Sequence, residues 1–288
     1  MNRTADVVII GAGIIGSATS FELAKRGYKT LNIDKLPASG YGSTSNSCAI
    51  VRAHYSTWDG VAMAYEGFFY WDDWKDYLEV DDDRGLAKYM KTGSIMFILS
   101  GEDHSKKSLK LFQEIGVDHE IWDLETLKQQ MPIYSHDWYD GTTRPDEDEN
   151  FWDKSGKQIE GAVWTPGSGY VSDPQLATHN LQVATEAKGG EFLFDAEIME
   201  IRQSNGKIEG VTLTTGEQID CKTVVNVAGP HSFVINRMAG VEDDMNIKTK
   251  ALRHEVHHVP SPPGFDFEKD GVHTSDGDNA IYFRPETG

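Results

Sequence analysis

One short stretch near the start of the chain constrains the fold more than any other. Asp6 to Ile10 reads as a continuous apolar strand and runs straight into Gly11-Ala12-Gly13-Ile14-Ile15-Gly16. That turn opens a helix to about Arg26, with Phe21, Leu23 and Ala24 among its apolar positions, and Gly27 closes it. Thr30 to Ile33 is a second apolar strand, with Asp34 at its end, eighteen residues after Gly16. Strand, turn, helix and strand make a βαβ unit, which implies a parallel sheet. In the G-x-G-x-x-G pattern each glycine has a task. Gly11 permits the tight turn, Gly13 lets backbone approach a pyrophosphate, and Gly16 lets helix and sheet pack closely. The helix N-terminus offers free N–H groups and a positive dipole end to phosphate. Asp34 is suited to accept hydrogen bonds from a ribose. The constellation points to a dinucleotide and leaves FAD and NAD both open.

The return to this sheet comes far downstream. Asp173 is an N-cap with Pro174 at the first helical position, and the helix runs to Lys188 before Gly189-Gly190. Strand signals follow at Phe192 to Phe194 and Glu197 to Arg202. Asn205-Gly206 marks a hairpin into Ile208 to Thr214, and Thr215-Gly216 turns towards Ile219. Thr223 to Val227 is a buried strand ending in Ala228-Gly229-Pro230. An NAD enzyme of this type usually continues with successive βαβ units, so a return through a β-meander favours a flavin. The expected fold class is α/β: a Rossmann-like FAD-binding domain with a β-meander, plus an interleaved α+β substrate domain. The expected boundaries are 1–84 and 163–236 for the first domain, 85–162 and 237–288 for the second.

Charge narrows the partners. Lys plus Arg is 27 and Asp plus Glu is 46, for a net charge of −19. That balance argues against nucleic acid and anionic membrane, which need a positive surface. No apolar run approaches the roughly 18 residues of a membrane span, and the N-terminus lacks the pattern of a signal peptide. Two cysteines, Cys48 and Cys221, make no disulfide framework, so a reducing, cytoplasmic setting is expected. Cys48 reads as a small buried side chain. The acidic clusters at Asp72 to Asp83 and Asp146 to Glu149 read as solvated surface. The aromatic residues between Tyr55 and Tyr77 read as packing. No metal is expected: His254-Glu255-Val256-His257-His258 matches H-E-x-x-H, but Val256, Val259 and the prolines from Pro260 onward suggest a strand. There the two histidines would lie about 13 Å apart, too far to share one ion. No G-x-S-x-G elbow is present.

Three motifs carry a family resemblance. They are Val8 to Gly16 with Asp34, the run Gly42-Ser43-Thr44-Ser45-Asn46-Ser47-Cys48-Ala49-Ile50-Val51-Arg52, and Val224 to Ser232 around Ala228-Gly229. A weaker fourth is Ile281-Tyr282-Phe283-Arg284-Pro285. Together they resemble the D-amino-acid-oxidase-like family of FAD-dependent amine oxidoreductases, most of all its sarcosine oxidase, glycine oxidase and dimethylglycine dehydrogenase branch. The resemblance implies an FAD site made by Gly11, Gly13, Ile14, Ile15, Gly16, Asp34, Lys35, Ser43, Thr44, Ser45, Ala49, Ile50, Ile198, Ala228 and Gly229. It implies that Arg52 pairs with a substrate carboxylate, a role a planar guanidinium fills through two parallel bonds. It places Tyr282 in the active site.

The activity implied is oxidation of the C–N bond of a small or N-methylated amino acid. A hydride equivalent goes to the flavin, the imine hydrolyses, and oxygen or a carrier protein accepts the electrons. Two alternatives stay open: a nucleotide-binding fragment or subunit without turnover of its own, and an FAD- or NAD-dependent dehydrogenase of a hydroxy acid or glycerol phosphate. Two departures from the family stand out. Ala49 occupies a position where some sarcosine oxidases carry a second arginine, and the chain stops at Gly288 where family members run on. The expectation is therefore a truncated chain, with an exposed apolar face at Val7 to Ile10 and Val224 to Val227, an unpaired strand at Ile281 to Phe283, and weak retention of FAD.

Overall fold

The computed structural model describes residues 3–101, 103–139, 146–279 and 281–286. The chain forms two compact units, Met1–Ala49 with Trp74–Lys88 and Ser172–His257, and Ile50–Asp73 with Tyr89–Val171 and His258–Gly288.

The first unit is built on a four-stranded parallel sheet in the order Glu191–Leu193, Thr30–Ile33, Val7–Ile10, Thr223–Asn226. Side chains alternate along each strand, so Val8, Ile10, Leu31 and Ile33 share one face. Against that face packs the meander Ile198–Ser204, Lys207–Leu213 and Gln218–Asp220, through Ile198, Ile201, Val211, Leu213 and Ile219. Helices Ile14–Lys25 and Pro174–Ala187 pack on each other and on the strands from the other side. Val7 to Ile10 are consequently 6% exposed or less. The exposed apolar face expected there is absent, because meander and helices cover both sides of the strand. Val224 is half-buried against the same core.

The segment Trp74–Lys88 is tied to this unit by polar contacts. Asn180, buried on its helix, accepts from Trp74 Nε1 at 3.3 Å and the Ala87 N–H at 3.0 Å, and donates to Asp82 Oδ2 at 2.7 Å and the Gly85 carbonyl at 2.9 Å. All four of its hydrogen-bonding positions are filled. Asp82 also accepts from His179 Nδ1 at 2.7 Å and its side chain is only 2% exposed. It is thus an anchor, not the solvated acid its cluster suggests. Burial raises its pKa, but the Arg84 N–H, Asn180 and His179 outweigh that and hold it below the usual carboxylate value.

The second unit holds a five-stranded mixed sheet in the order Ile281–Phe283, His273–Asp276, Ser94–Ile98, Gly161–Thr165, Glu120–Asp123. His273–Asp276 runs parallel to Ser94–Ile98 and the other pairs are antiparallel. Helices Trp58–Asp72 and His104–Ile115 cover one face, where Val61, Phe68, Met96, Phe112 and Val163 pack. Helix Leu124–Gln130 covers the other, with Ile95, Phe97, Leu99, Leu127 and Ala162. Ile50–Val51, Gly169–Val171 and Tyr89–Met90 form a small antiparallel sheet.

Two sequence expectations need correction. Ile281–Phe283 is paired, with His273–Asp276, so only its outer edge is open. Residues 254–259 form no strand; they are irregular and exposed, with Val256 at 59% and Val259 at 72%. Residues 50–73 group with the second unit, because Ile50–Val51 pairs with Gly169–Val171 and Val61 and Phe68 enter the core around Phe112. No helix of the described residues is long and apolar enough to cross a membrane.

The Asn180 hub gives a test of the first unit. Asn180→Ala should destabilise it by about 2 kcal/mol or more, since the buried partners of the lost carboxamide are left unpaired. A urea midpoint unchanged from the parent would show that the segment is held by other contacts.

Candidate active site

The glycines of the first turn are small for different reasons. Gly11 has φ +109°, and a Cβ there would lie 2.4 Å from the Val227 carbonyl oxygen. A Cβ on Gly16 would lie 1.9 Å from the Gly11 oxygen. Both positions are closed by the protein's own backbone. A Cβ on Gly13 would meet only the Thr44 hydroxyl, at 3.1 Å. No backbone closes this position, so its smallness leaves a cradle at the helix N-terminus beside one tight contact, the Thr44 hydroxyl. Ile15 and Gly16 lie in the first turn, where N–H groups have no acceptor within the helix.

The surrounding loops shape that cradle. Asp34 is fixed by two backbone donors, the Ala12 N–H to Oδ2 at 2.8 Å and the Leu36 N–H to Oδ1 at 2.9 Å. Each carboxylate oxygen keeps a lone pair for a ribose hydroxyl. Lys35 beside it is exposed. The Gly40 N–H donates to the Ala12 carbonyl at 2.8 Å, and the Ile14 N–H to Thr44 Oγ1 at 3.1 Å, so the 40–44 loop is laid across the turn. Thr44 thus caps the helix, a role the sequence did not disclose. Ser43 and Ser45 are exposed on this loop, and Ala49 at its end has φ +49°. Ile198 begins the meander and its side chain is in the core. Ala228 and Gly229 form the turn that meets Gly11. Asn226 holds that turn, donating to the Ser232 carbonyl at 2.8 Å and to Asn236 Oδ1 at 2.7 Å. Ile50 belongs to the second unit, in the small sheet.

In the second unit Arg52 and Tyr282 line one open cavity of about 270 Å³, with Met96, Phe97, Leu99 and Ile281 as its apolar wall. Ser275, Asp276, Gly277 and His104 complete the lining. The Asp276 carboxylate is engaged in its own turn, accepting from the N–H groups of Asp278 and Asn279 and from Asn279 Nδ2. The partners of Arg52 are neutral. Nη1 donates to the His54 carbonyl at 3.5 Å and the guanidinium lies 5.6 Å from the Tyr55 ring centroid. Among the described residues no carboxylate pairs with it. Two fully enclosed histidines stand nearby. His54 is pushed down to about pKa 3 by burial first, then by His273, Arg52 and His104. His273 is pushed down to about 3 by burial, then Arg52 and Arg284. Neither is visible as a site residue in the sequence.

A sequence profile for FAD dependent oxidoreductases matches residues 6–288. The chain belongs to that FAD-dependent oxidoreductase family. The choice the fingerprint leaves open between FAD and NAD therefore falls to FAD, and the glycine cradle fits it: two glycines closed by backbone, one left open at the helix N-terminus, and an anchored acid beyond.

Among relatives in this family, the sarcosine oxidase subunit beta of Arthrobacter sp is 26% identical over 265 residues, 90% of this chain and 59% of that one. The glycerol 3-phosphate dehydrogenase of Caloramator mitchellensis is 25% identical over 236 residues, 81% of this chain and 43% of that one. The chain spans 29% to 59% of the length of three of the curated relatives it matches. Among solved structures, L-proline dehydrogenase from P. horikoshii matches with a TM-score of 0.68 at 22% identity, covering 84% of this chain and 57% of that one. Glycine oxidase from Geobacillus kaustophilus matches with a TM-score of 0.64 at 20% identity, covering 83% and 59%. These share the α/β fold.

The two histidines make stability depend on pH. Unfolded, each takes up a proton as pH falls through its ordinary 6.5; folded, neither does so until about 3. The folded state therefore loses ground as pH drops below 6.5, by up to about 1.4 kcal/mol per pH unit for each histidine. The melting temperature should fall between pH 6.5 and pH 4, and replacing His54 by Gln and His273 by Asn together should flatten that fall. An equally steep decline in the double variant would place the acid sensitivity elsewhere.

Proposed function

We propose that this chain supplies the FAD-binding and substrate-binding parts of an enzyme that oxidises the C–N bond of a small or N-methylated amino acid. The observation that carries the reading is the state of Arg52. The chain has nineteen more acids than bases. Most of its cations are paired, as with Lys91–Asp72, Lys188–Glu79 and Arg202–Asp220. Arg52 instead faces a cavity, and among the described residues its own partners are neutral. A guanidinium so placed is fitted to a carboxylate brought by a ligand.

In this reading Gly11, Gly13, Ile14, Ile15 and Gly16 receive the pyrophosphate at the helix N-terminus, and Asp34, with Lys35 beside it, faces the ribose. Ser43, Thr44, Ser45, Ala49 and Ile50 form the strap along the cofactor. Ile198 offers backbone to the adenine, and Ala228-Gly229 closes over the cofactor. Arg52 holds the substrate carboxylate, Tyr282 bounds the same cavity, and Met96, Phe97, Leu99 and Ile281 keep water from the rest of the ligand. The chemistry that FAD supplies when bound is acceptance of a hydride equivalent from the carbon next to nitrogen, and the imine then hydrolyses in water. The protein's own share is to bind and orient.

Gly13 separates cofactor binding from folding, because its Cβ has room apart from the Thr44 hydroxyl. Gly13→Val should lower flavin content, read from the visible absorption of protein loaded with FAD, while the melting temperature of the flavin-free protein stays near that of the parent. Gly16→Ala should damage both. Flavin content in Gly13→Val equal to the parent's would remove the cofactor from this turn. Arg52→Lys keeps the charge but loses the two-pronged geometry, so it should weaken sarcosine about tenfold or more, with flavin content unchanged. Sarcosine bound equally well by both proteins, or glycerol 3-phosphate preferred by the parent, would overturn the substrate assignment.

A further inference from the structure

The second unit contains a polar rung where its sheet should be apolar. Ser94 pairs in register with Thr165 on one side and with His273 on the other, so the three residues lie side by side across three strands. All three are completely buried. Their atoms are joined: Ser94 Oγ meets His273 Nδ1 at 2.6 Å, and Thr165 Oγ1 donates to the Ser94 carbonyl at 3.3 Å. His54 is attached to the same rung, its Nε2 lying 3.2 Å from Thr165 Oγ1 and its ring stacked on Phe112 at 5.7 Å between centroids.

Nothing in the sheet requires this arrangement. The next residues on the central strand are Ile95, Met96 and Phe97, all buried. Burying hydroxyls and imidazoles stabilises less than burying aliphatic side chains, and more so when partners are missing. Partners are missing here: among the described residues, His54 Nδ1, His273 Nε2 and the Ser275 hydroxyl are enclosed without a hydrogen bond. Local rules broken at a cost to stability tend to mark functional positions.

The rung leads to the cavity at both ends. His54 presents the carbonyl that accepts from Arg52. His273 lies with its ring 6.4 Å from that of Tyr282. Tyr282 pairs in register with Ser275, which lines the cavity two residues beyond His273 on the same strand face.

Resting on the reading of Arg52 as the carboxylate-binding group, we propose that His54, Thr165, Ser94 and His273 form a positioning frame that sets Arg52 and Tyr282 for the substrate. The frame itself does not touch the ligand. Its histidines act as neutral spacers: each uses one ring nitrogen to lock into the rung and so fixes the backbone or ring that a cavity residue leans on.

The test uses the FAD-loaded protein and two ligands, sarcosine as substrate and pivalate as a carboxylate with no hydrogen on the adjacent carbon to be oxidised. Thr165→Val keeps the shape of the side chain and removes the bond to His54. His54→Leu removes the other partner, and His54→Gln returns a polar group at the position of Nε2. The expected result is pivalate affinity lowered about tenfold in Thr165→Val and His54→Leu, with KM for sarcosine raised more than kcat is lowered. Flavin content should be unchanged, and His54→Gln should recover most of the affinity. A frame that only packs the core would move the melting temperature alone. Pivalate bound as tightly by soluble, flavin-loaded Thr165→Val as by the parent, while Arg52→Lys binds it weakly, would overturn the frame and leave the Arg52 reading standing. Pivalate bound equally by the parent and Arg52→Lys would overturn both.

Discussion

The first unit depends on a contact between backbones. Gly11 and Gly16 lie so close to each other and to the Val227 carbonyl that a single methyl group at either would overlap a main-chain oxygen. That contact lets the first helix start directly over the parallel sheet, and it seats the turn after Thr223–Asn226 against the turn after Val7–Ile10. The alignment of the helix N-terminus, the anchoring of Asp34 and the placement of the 40–44 loop all follow from it. Hydrophobic burial supplies the favourable energy of the unit, through the meander residues packed on Val8 and Ile10, but it does not choose this geometry. Apolar contacts tolerate small shifts, whereas an overlap of a Cβ with a carbonyl oxygen does not.

The second unit is organised differently. Its sheet has helices on both faces, and its core would be stable as an ordinary apolar layer. Into that layer are set two hydroxyls and two imidazoles, beside a guanidinium that has no acidic partner among the described residues. Charge makes this more pointed. Among the described residues the contacts of Arg52 are neutral, the His54 carbonyl and the Tyr55 ring, while Asp276 on the same cavity is engaged in its own turn. The histidines contribute by remaining uncharged, because a second positive charge beside Arg52 is opposed by burial and by repulsion alike.

What the sequence made legible follows from the range over which each signal acts. The strands Val7–Ile10 and Thr30–Ile33, the helix between them, the Asp173 cap and the hairpin at Asn205-Gly206 rest on patterns within a dozen residues, and the structure has them within a residue or two. Asp82 looked like solvated charge because its neighbours are, and only the distant Asn180 and His179 make it an anchor. The region around Val256 has the residue types of a strand but no strand partner among the described residues, so composition alone misleads there. The rung was invisible for the strongest reason. Ser94, Thr165 and His273 are far apart in sequence, unremarkable one by one, and acquire meaning only through the register of three strands. The glycine turn could be found in the text of the sequence, but that Gly13 alone of its three glycines is not closed by backbone could not.

The parallel sheet has a consequence for how the chain is made. Val7–Ile10 takes its outer neighbour from Thr223–Asn226, about 200 residues later in synthesis. At roughly 5–20 residues per second the ribosome needs about 10 to 40 s to deliver it. Through that interval the nascent chain carries a very apolar strand with one edge open, which is a template for pairing with other chains. Neither unit is continuous in sequence, so neither can be finished before the other has begun to emerge. A protein of this design should need chaperone attention early in translation, and slowing the ribosome between residues 50 and 220 should raise the aggregated fraction without changing any contact in the finished molecule.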